Sequence, residues 1–221
     1  MTTEEVDIVC VGAGGGSVHL PGTLTLPDDP SGLVLFAHGS GSSRHSPRNR
    51  FVASQLHERG LGTLLFDLLT AEEAADRANV FDVSLLADRV LAAVAMVQRL
   101  RKTGHLPIGL FGASTGAAAA LMASVRTPQI KAVVARGGRP DLAEHCLAEV
   151  TAPTLLVVGG EDRDVLVLNR EASDVLGCEK QLAVIPRATH LFEEPGTLEE
   201  VAWLAADWFS RSLRPSLLTG A

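Results

Sequence analysis

The sequence of 221 residues has no tyrosine and few other aromatic residues, with 7 Phe and 2 Trp. It also has no excess of positive charge: 19 Lys and Arg stand against 26 Asp and Glu, which gives a formal net charge of −7. Proteins that bind nucleic acid usually carry basic surfaces for the phosphates and often aromatic side chains for the bases. We therefore expect no nucleic acid among the partners of this protein.

Cysteine is equally scarce. The three cysteines, Cys10, Cys146 and Cys178, are odd in number and far apart in the sequence. Their spacing matches neither a disulfide framework nor a set of zinc ligands. We interpret them as reduced thiols of a cytoplasmic protein, and we predict no metal site.

Targeting and membrane segments are also not indicated. The first residues, from Met1 to Val6, lack a basic segment followed by an apolar core, so no signal peptide is predicted. Residues 106–125 carry no charge and are long enough to span a membrane. The stretch contains one proline and three glycines, however, which favours a buried strand, a turn and a buried helix. We expect a protein without a membrane partner.

Short apolar runs recur along the chain, most of them continuous rather than alternating. Such runs are typical of strands that are covered on both faces. They lie at 6–11, 33–37, 63–66, 108–111, 132–135, 154–158 and 182–185.

Helical segments separate most of these runs. Predicted helices begin at Ser46-Pro47, near Asp82 and at a capping box that starts with Thr197. Strands that alternate with helices imply right-handed crossovers and a mostly parallel sheet. The run 6–11 and the strand-like segment 17–26 have no helix between them and predict an antiparallel hairpin at one edge. We expect residues 1–221 to form one domain with helices on both faces of the sheet.

The segment from Gly12 to Gly16 resembles the glycine-rich turn of a dinucleotide-binding protein. Such a turn leads directly into a helix, whose amino terminus holds the pyrophosphate. Here Ser17 occupies the third glycine position, and a strand-like run with Pro21 inside it follows. A glycine-rich hairpin turn is favoured, and FAD or NAD binding by this segment remains the alternative.

A possible nucleophile lies in Gly112-Ala-Ser114-Thr-Gly116, which fits the pattern G-x-S-x-G. The apolar run 108–111 precedes it and an alanine-rich helical segment follows. In a strand–turn–helix context this pattern forms a nucleophile elbow, in which a strained turn raises the serine above the sheet. We predict that Ser114 is a catalytic nucleophile.

A serine needs a base to take its proton, and the base needs a carboxylate to orient it. In this context the acid and then the histidine follow the serine along the chain. Only His145 and His190 lie downstream of Ser114. His145 is predicted on a short helix, whereas His190 follows the run 182–185, where a loop can carry the imidazole over the sheet edge. We predict His190 as the base.

The orienting carboxylate is predicted in Gly159-Gly-Glu-Asp162, directly after the run 154–158. Asp162 is the favoured acid, and Glu161 and Asp164 are its competitors. An oxyanion hole would complete the site with two backbone N–H groups. We predict one from Thr115 and the other from Ser40, within the glycine-containing loop that begins at His38. The side chains of His38 and Ser40 are expected to be structural.

Two arginine-bearing segments follow predicted strands near this edge. Residues 40–50 carry three arginines and no acidic residue, and Arg136 and Arg139 follow the run 132–135. Arg136 or Arg139, together with Arg44, could bind a substrate carboxylate, because a guanidinium does so bidentately. The alternative is that these arginines pair with nearby acidic residues and only brace their loops.

Together, the four motifs resemble those of the α/β-hydrolase superfamily, specifically of small dienelactone-hydrolase-like enzymes. They are His38-Gly-Ser-Gly, Gly112-Ala-Ser-Thr-Gly116, Gly159-Gly-Glu-Asp162 and Ala188-Thr-His-Leu-Phe192. The resemblance implies an eight-stranded sheet with an antiparallel second strand, a Ser–Asp–His triad and no organic cofactor. Dienelactone hydrolases carry a cysteine where this chain has Ser114, so the serine indicates general carboxylic-ester chemistry.

The resemblance also sets expectations for the substrate and its access to the site. Residues 136–153 leave room for one short helix and no lid domain. We expect a serine esterase, monomeric or homodimeric, that hydrolyses small esters, thioesters or lactones. A hydrolase fold that binds a ligand without catalysis is the remaining alternative.

Overall fold

A computed structural model describes residues 1–12 and 14–213, and all structural statements concern these residues. They form one sheet of eight strands, with helices between most of them. The strands are β1 (Thr2–Val11), β2 (Ser17–Leu26), β3 (Gly32–Ala37), β4 (Leu61–Phe66), β5 (Ile108–Ala113), β6 (Ile130–Arg136), β7 (Thr154–Gly159) and β8 (Lys180–Ile185).

The described residues also form seven α-helices and one 3-10 helix, all but α7 lying between strands. The α-helices are α1 (Pro47–Glu58), α2 (Ala71–Ala75), α3 (Arg77–Phe81), α4 (Val83–Arg99), α5 (Thr115–Arg126), α6 (Arg163–Val175) and α7 (Thr197–Ser212). The 3-10 helix, Pro140–Glu149, occupies the connection between β6 and β7. No separate lid domain is inserted there, as the sequence predicts.

The strand order is β1-β2-β4-β3-β5-β6-β7-β8. β2 runs antiparallel to both of its neighbours, and the pairings from β4 to β8 are all parallel. The prediction of a mostly parallel sheet with an antiparallel hairpin at one edge is therefore confirmed. Because β3 to β8 run in the same direction, the loops after them all open at one edge of the sheet.

The two faces of the sheet are covered by different helices. On β3, Val34 and Phe36 pack in the cluster with α1 and α7, whereas Leu33 and Leu35 belong to the cluster with α4 and α5. This alternation follows from the two-residue period of a strand. All six residues of β3 are buried, as are all six of β5, which explains why these strands appear in the sequence as continuous apolar runs.

The uncharged stretch 106–125 becomes β5, a turn and most of α5, as predicted. Within the described residues, the helices fall short of the length and apolar character that a membrane crossing needs.

The glycine-rich segment joins β1 to β2 as a hairpin turn, in which the N–H of Gly12 donates to the carbonyl of Gly16. The next element is strand β2 and not a helix. The helix amino terminus that a dinucleotide pyrophosphate requires is therefore missing from this place.

A buried arginine ties the hairpin to the helices beside it. Arg89 of α4 is fully buried, and its Nη1 donates to the carbonyl of Val11 and to Cys10 Sγ. Its Nη2 donates to Glu73 Oε1 at 2.7 Å. Glu73 is also part of the capping box at the start of α2, with Thr70 as the N-cap. This contact fixes α2 relative to the sheet.

The capping box predicted at Thr197 is wrong. Helix α7 does contain the expected residues, but its N-cap is Gly196, with a left-handed φ of 83°. Thr197 is the first helical residue, and its hydroxyl donates backwards to the carbonyl of Glu194. The tight turn at Gly196 sets this geometry, since glycine adopts positive φ without steric cost.

The N-cap of α4 offers a test of local helix stability. Asp82 accepts a hydrogen bond from the N–H of Leu85 at 2.9 Å. We expect Asp82→Ala to lower the free energy of unfolding by about 1 kcal/mol, because it leaves that N–H without an acceptor. Asp82→Asn is the matched control, since its amide oxygen can still accept. Chemical denaturation of the three proteins measures the effect, and an equal loss in both variants would contradict it.

Candidate active site

Ser114 lies at the turn between β5 and α5 with φ 51° and ψ −119°. Positive φ is uncommon for a residue with a side chain and marks backbone strain. The N–H of Ser114 donates to the carbonyl of Arg136, and its own carbonyl accepts from Ala117 and Arg139. These bonds hold the strained turn in place, in the conformation that the G-x-S-x-G pattern predicts.

The two glycines of the motif are required by close packing. A Cβ atom on Gly116 would lie 2.2 Å from the carbonyl oxygen of Ala37, and one on Gly112 would lie 2.5 Å from Ala117 Cα. Both distances are far below van der Waals contact. The strand–turn–helix can therefore form only with glycine at these two positions.

His190 and Asp162 meet above the same edge, each on the loop that follows its strand. His190 Nδ1 lies 2.6 Å from Asp162 Oδ2, with the carboxylate largely buried. Donation from Nδ1–H to the carboxylate leaves Nε2 as the basic nitrogen of the neutral ring. A Cβ on Gly137 would lie 3.4 Å from the imidazole, so that glycine leaves room for the ring.

The loop that carries His190 is closed by a carboxylate that the sequence analysis did not single out. Glu194 accepts hydrogen bonds from the N–H and the hydroxyl of Thr189, at 3.1 and 2.7 Å. These hydrogen bonds lower the pKa of Glu194. The only sequence signal would have been the spacing of five residues between the two side chains.

Ser114 and His190 line one cavity of about 170 Å³, and Asp162 lies behind the imidazole. The competing residues lie elsewhere. Glu161 pairs with Arg163 at 3.7 Å, and exposed Asp164 belongs to the first turn of α6. His145 is exposed on the 3-10 helix. Ser114, His190 and Asp162 are thus the predicted residues that the fold brings together.

The predicted oxyanion-hole residues, Ser40 and Thr115, line a neighbouring cavity of about 260 Å³, and Ser40 borders both cavities. Thr115 is the first residue of α5, so its N–H has no acceptor within the helix. A Cβ on Gly39 would lie 3.1 Å from Ser114 Cβ, which shows how closely this loop approaches the serine. Ser40 and Thr115 therefore both lie close to the serine.

His38 joins two loops of the site. Its Nε2 accepts from the N–H of Leu68 at 3.0 Å, and its Nδ1–H donates to the carbonyl of Gly39 at 2.9 Å. This role is structural, as expected. Burial lowers the pKa of His38, because a charged imidazole would lose its hydration there.

The three arginines proposed as substrate ligands take different positions. Arg44 forms an ion pair with Asp67 at 2.5 Å. Arg139 forms a bidentate ion pair with Asp141, with hydrogen bonds of 2.8 and 2.7 Å. Both are held by local carboxylates and neither lines the cavity with the serine. Arg136 does line it, and its Nε and Nη1 are buried without a hydrogen-bond partner.

The first turn of α1 also borders the cavity, through Ser46, Arg48 and Asn49. In the sequence, Arg48 appears only as part of a basic segment, and nothing there indicates that Arg48 or Asn49 lies in the site. No local signal marks them, since only the packing of α1 beside the elbow brings them there. Within the described part of the chain, no group of three or more His, Cys, Asp or Glu side chains is arranged to hold a metal ion.

Comparison with known protein families identifies the family of this chain. A sequence model of the dienelactone hydrolase family matches residues 21–213. The chain belongs to the dienelactone hydrolase family. A crystal structure of a dienelactone hydrolase from Anabaena variabilis is similar to this family member, with 50% identity and a TM-score of 0.90. The match covers 96% of this chain and 99% of the Anabaena chain.

More distant structures share the fold of this dienelactone hydrolase family member. Est1E from Butyrivibrio proteoclasticus matches with a TM-score of 0.79 and 18% identity, over 94% of this chain and 98% of its own. The esterase domain of a Rhodothermus marinus protein matches with a TM-score of 0.74 and 19% identity, over 96% of this chain and 100% of its own.

Curated relatives from Mycobacterium tuberculosis are 56% identical over 207 residues, and their name proposes a phosphoribosyl transferase. The match covers 93% of this chain but only 46% of each relative. The chain thus spans less than half the length of these relatives, and their name describes the whole of those longer proteins.

The lowered pKa of His38 predicts how stability depends on pH. Below about pH 6.5 the unfolded chain binds a proton at this position more readily than the folded one, so stability falls as the pH falls. His57, whose pKa is also lowered by burial, contributes in the same direction.

We expect His38→Gln to lose less stability than the wild type between pH 6.5 and 5, because glutamine does not titrate. Urea unfolding at several pH values measures the slope, and His45→Gln, at an exposed histidine, is the control. Identical slopes for wild type and His38→Gln would show that His38 does not contribute.

Proposed function

We propose that the protein is a serine hydrolase of small carboxylic esters, thioesters or lactones. One arrangement carries this proposal. Ser114, on a strained elbow, and His190 line the same cavity, and a hydrogen bond joins His190 to Asp162 behind it. Membership of the dienelactone hydrolase family supports it, as does the similarity of its fold to that of esterases.

In the proposed mechanism Ser114 Oγ attacks the substrate carbonyl while His190 Nε2 takes its proton. Asp162 keeps the imidazole in the required tautomer and stabilises the imidazolium that forms. The negative charge on the carbonyl oxygen develops beside the N–H of Thr115, at the amino terminus of α5, and beside the N–H of Ser40.

The tetrahedral intermediate collapses as His190 returns the proton to the leaving alcohol or thiol. An acyl group then remains on Ser114 Oγ. A water molecule, activated by the same imidazole, hydrolyses this acyl-enzyme and regenerates the serine. Every step uses side chains and N–H groups of this chain, without a step that calls for a metal or an organic cofactor.

We expect Ser114→Ala to reduce hydrolysis of p-nitrophenyl acetate by about 10⁴- to 10⁶-fold, as removal of a triad nucleophile does. Circular dichroism should remain unchanged, because the substitution removes one hydroxyl. A folded variant with full activity would overturn the proposal.

A fluorophosphonate probe should label the wild-type protein on Ser114, since such probes react with activated serines. Mapping of the modified peptide locates the label. This experiment also separates an enzyme from a hydrolase fold that binds without catalysis, because an unactivated serine stays unlabelled.

The choice of acid can be tested with a matched pair. Asp162→Asn should lower kcat by about 10⁴-fold, because the amide favours the wrong imidazole tautomer. Asp164 lies two residues away, on the exposed first turn of α6, so Asp164→Asn should have little effect on kcat. Equal losses in the two variants, measured by steady-state kinetics on one ester, would reject Asp162 as the orienting residue.

A further inference from the structure

A buried guanidinium lies beside the proposed nucleophile. Arg136, the last residue of β6, is only 7% exposed, and its guanidinium lies over the ring of Phe192 at 5.8 Å. Its Nε and Nη1 are buried and have no hydrogen-bond partner, and no ion pair joins this guanidinium to a carboxylate of the described residues. A buried charge is costly unless an opposite charge compensates it. The fold thus contains a strong positive site that its own carboxylates leave unsatisfied.

The surroundings make this site more positive. Burial, and to a lesser degree the nearby positive charge of Arg48, lowers the pKa of Arg136 to about 10. The carboxylate that pairs with Arg48 is Glu193, at 3.6 Å and itself 66% exposed. None of the residues that line the 170 Å³ cavity is acidic. An anion that enters it would therefore be attracted to both guanidinium groups.

Two helix amino termini also open into the same cavity. Ser46, Arg48 and Asn49 lie at the start of α1, which has no acidic residue in its first turn, and Ser114 precedes α5. Helix amino termini favour negative charge. In the proposed mechanism, the developing oxyanion is the negative charge that the amino terminus of α5 stabilises. That mechanism supplies no negative charge for the amino terminus of α1 or for Arg136.

The position of His190 indicates which part of a substrate lies in this cavity. The imidazole must reach the leaving oxygen to protonate it, so the alcohol part of an ester has to lie on the same side as His190. His190, Leu191 and Arg136 all line the 170 Å³ cavity, and the 260 Å³ cavity has none of them in its lining.

The 260 Å³ cavity has the character expected for the acyl part. It begins at Ser40 and Thr115, the predicted oxyanion-hole residues, and continues between the β4 loop and the short helices. Its apolar lining consists of Leu68, Leu69, Ala71, Ala74, Val80 and Leu86. An apolar acyl chain would lose contact with water there, which favours binding.

We propose that the substrate is an ester with a small apolar acyl group and an alcohol part that carries an anion, which Arg136 binds. The anion is a carboxylate or a phosphate group, since a guanidinium binds either one bidentately. This inference rests on the proposed serine-hydrolase function and assigns the two cavities to the two halves of its substrate. Arg136 is then a specificity-determining residue rather than a loop brace.

The test compares matched esters in wild-type protein. 3-Acetoxybenzoate carries a carboxylate on the leaving group, its methyl ester is the neutral partner, and 3-acetoxyphenyl phosphate carries the phosphate. Monophenyl succinate and its methyl ester place the charge on the acyl side instead. We expect kcat/KM to be about tenfold to a hundredfold higher for a leaving-group anion than for its neutral partner, the size of a charge-assisted hydrogen bond.

We expect no such preference for the acyl-side carboxylate. Whichever of 3-acetoxybenzoate and 3-acetoxyphenyl phosphate has the higher kcat/KM identifies the preferred anion. A preference for neutral leaving groups, or for the acyl-side charge, would overturn the proposal.

Arginine variants link the preference to its cause. In Arg136→Gln, kcat/KM for the ester with a charged leaving group should become nearly equal to kcat/KM for its neutral partner. The neutral ester should still be hydrolysed. Arg126→Gln, at the end of α5, removes an equal charge from an ion pair with Asp88 of α4 and should leave the ratio of the two kcat/KM values unchanged. If the ratio survives in Arg136→Gln, or disappears in Arg139→Gln instead, the assignment to Arg136 is wrong.

A binding experiment keeps this inference separate from the proposed chemistry. Ser114→Ala should bind 3-hydroxybenzoate or 3-hydroxyphenyl phosphate in calorimetry, and Ser114→Ala with Arg136→Gln should bind it at least tenfold more weakly. If no ester is hydrolysed but this difference holds, the proposed function fails and the anion site stands. If Arg136→Gln does not fold, Arg136→Lys takes its place, since lysine keeps the charge but loses bidentate geometry. Equal binding by the single and double variants would refute the anion site.

Discussion

The turn at Ser114 is the constraint on which the rest of the site depends. A residue with a side chain is held at φ 51° between a fully buried strand and a buried helix. This is possible because Gly112 and Gly116 remove the atoms that would collide with Ala117 and with the carbonyl of Ala37. The strain costs on the order of 1–3 kcal/mol and is offset by the packing of β5 and α5 in the core. Its result is a hydroxyl at a helix amino terminus, at the centre of the sheet edge.

The other components reach Ser114 because parallel strands deliver their following loops to the same edge. Asp162 follows β7 and His190 follows β8, two adjacent strands, so a hydrogen bond of 2.6 Å joins loops that are 28 residues apart in the chain. On the other side, His38 connects the loops after β3 and β4. Asp67 and Arg44 reinforce that connection. Bonds between loops thus help to hold the proposed catalytic groups in place, in addition to the bonds within each loop.

Charge is distributed unevenly around this edge. The chain has a net charge of −7, yet the cavity with Ser114 and His190 is lined by two arginines and no acidic residue. The adjoining cavity has an apolar part, formed by Leu68 and Leu69 after β4 and by Ala71, Ala74, Val80 and Leu86. Acidic residues that could neutralise the arginines exist near other parts of the edge, where Asp67 and Asp141 hold Arg44 and Arg139. This division gives the proposed site a polar and an apolar side.

The sequence by itself determined the elements whose signals are local. Continuous apolar runs indicated the buried strands, the motif around Ser114 indicated the elbow, and chain order singled out Asp162 and His190. The edge strand β1 began earlier than its apolar run, at Thr2, because an edge strand with one exposed face does not need apolar residues. The short helices α2 and α3, without buried residues, left no periodic pattern to find.

Only the tertiary structure decided the roles of the arginines. The sequence does not distinguish Arg44, Arg136 and Arg139 from one another. Each comes after a predicted strand, and each could pair with an acidic residue elsewhere in the chain. Folding placed Asp67 against Arg44, from a position 23 residues away, and turned Arg139 towards Asp141. It buried Arg136 against Phe192 and brought Arg48 beside it, and no carboxylate of the described residues forms an ion pair with Arg136. Whether a charge is paired depends on distances between separate loops, and a linear sequence does not contain those distances.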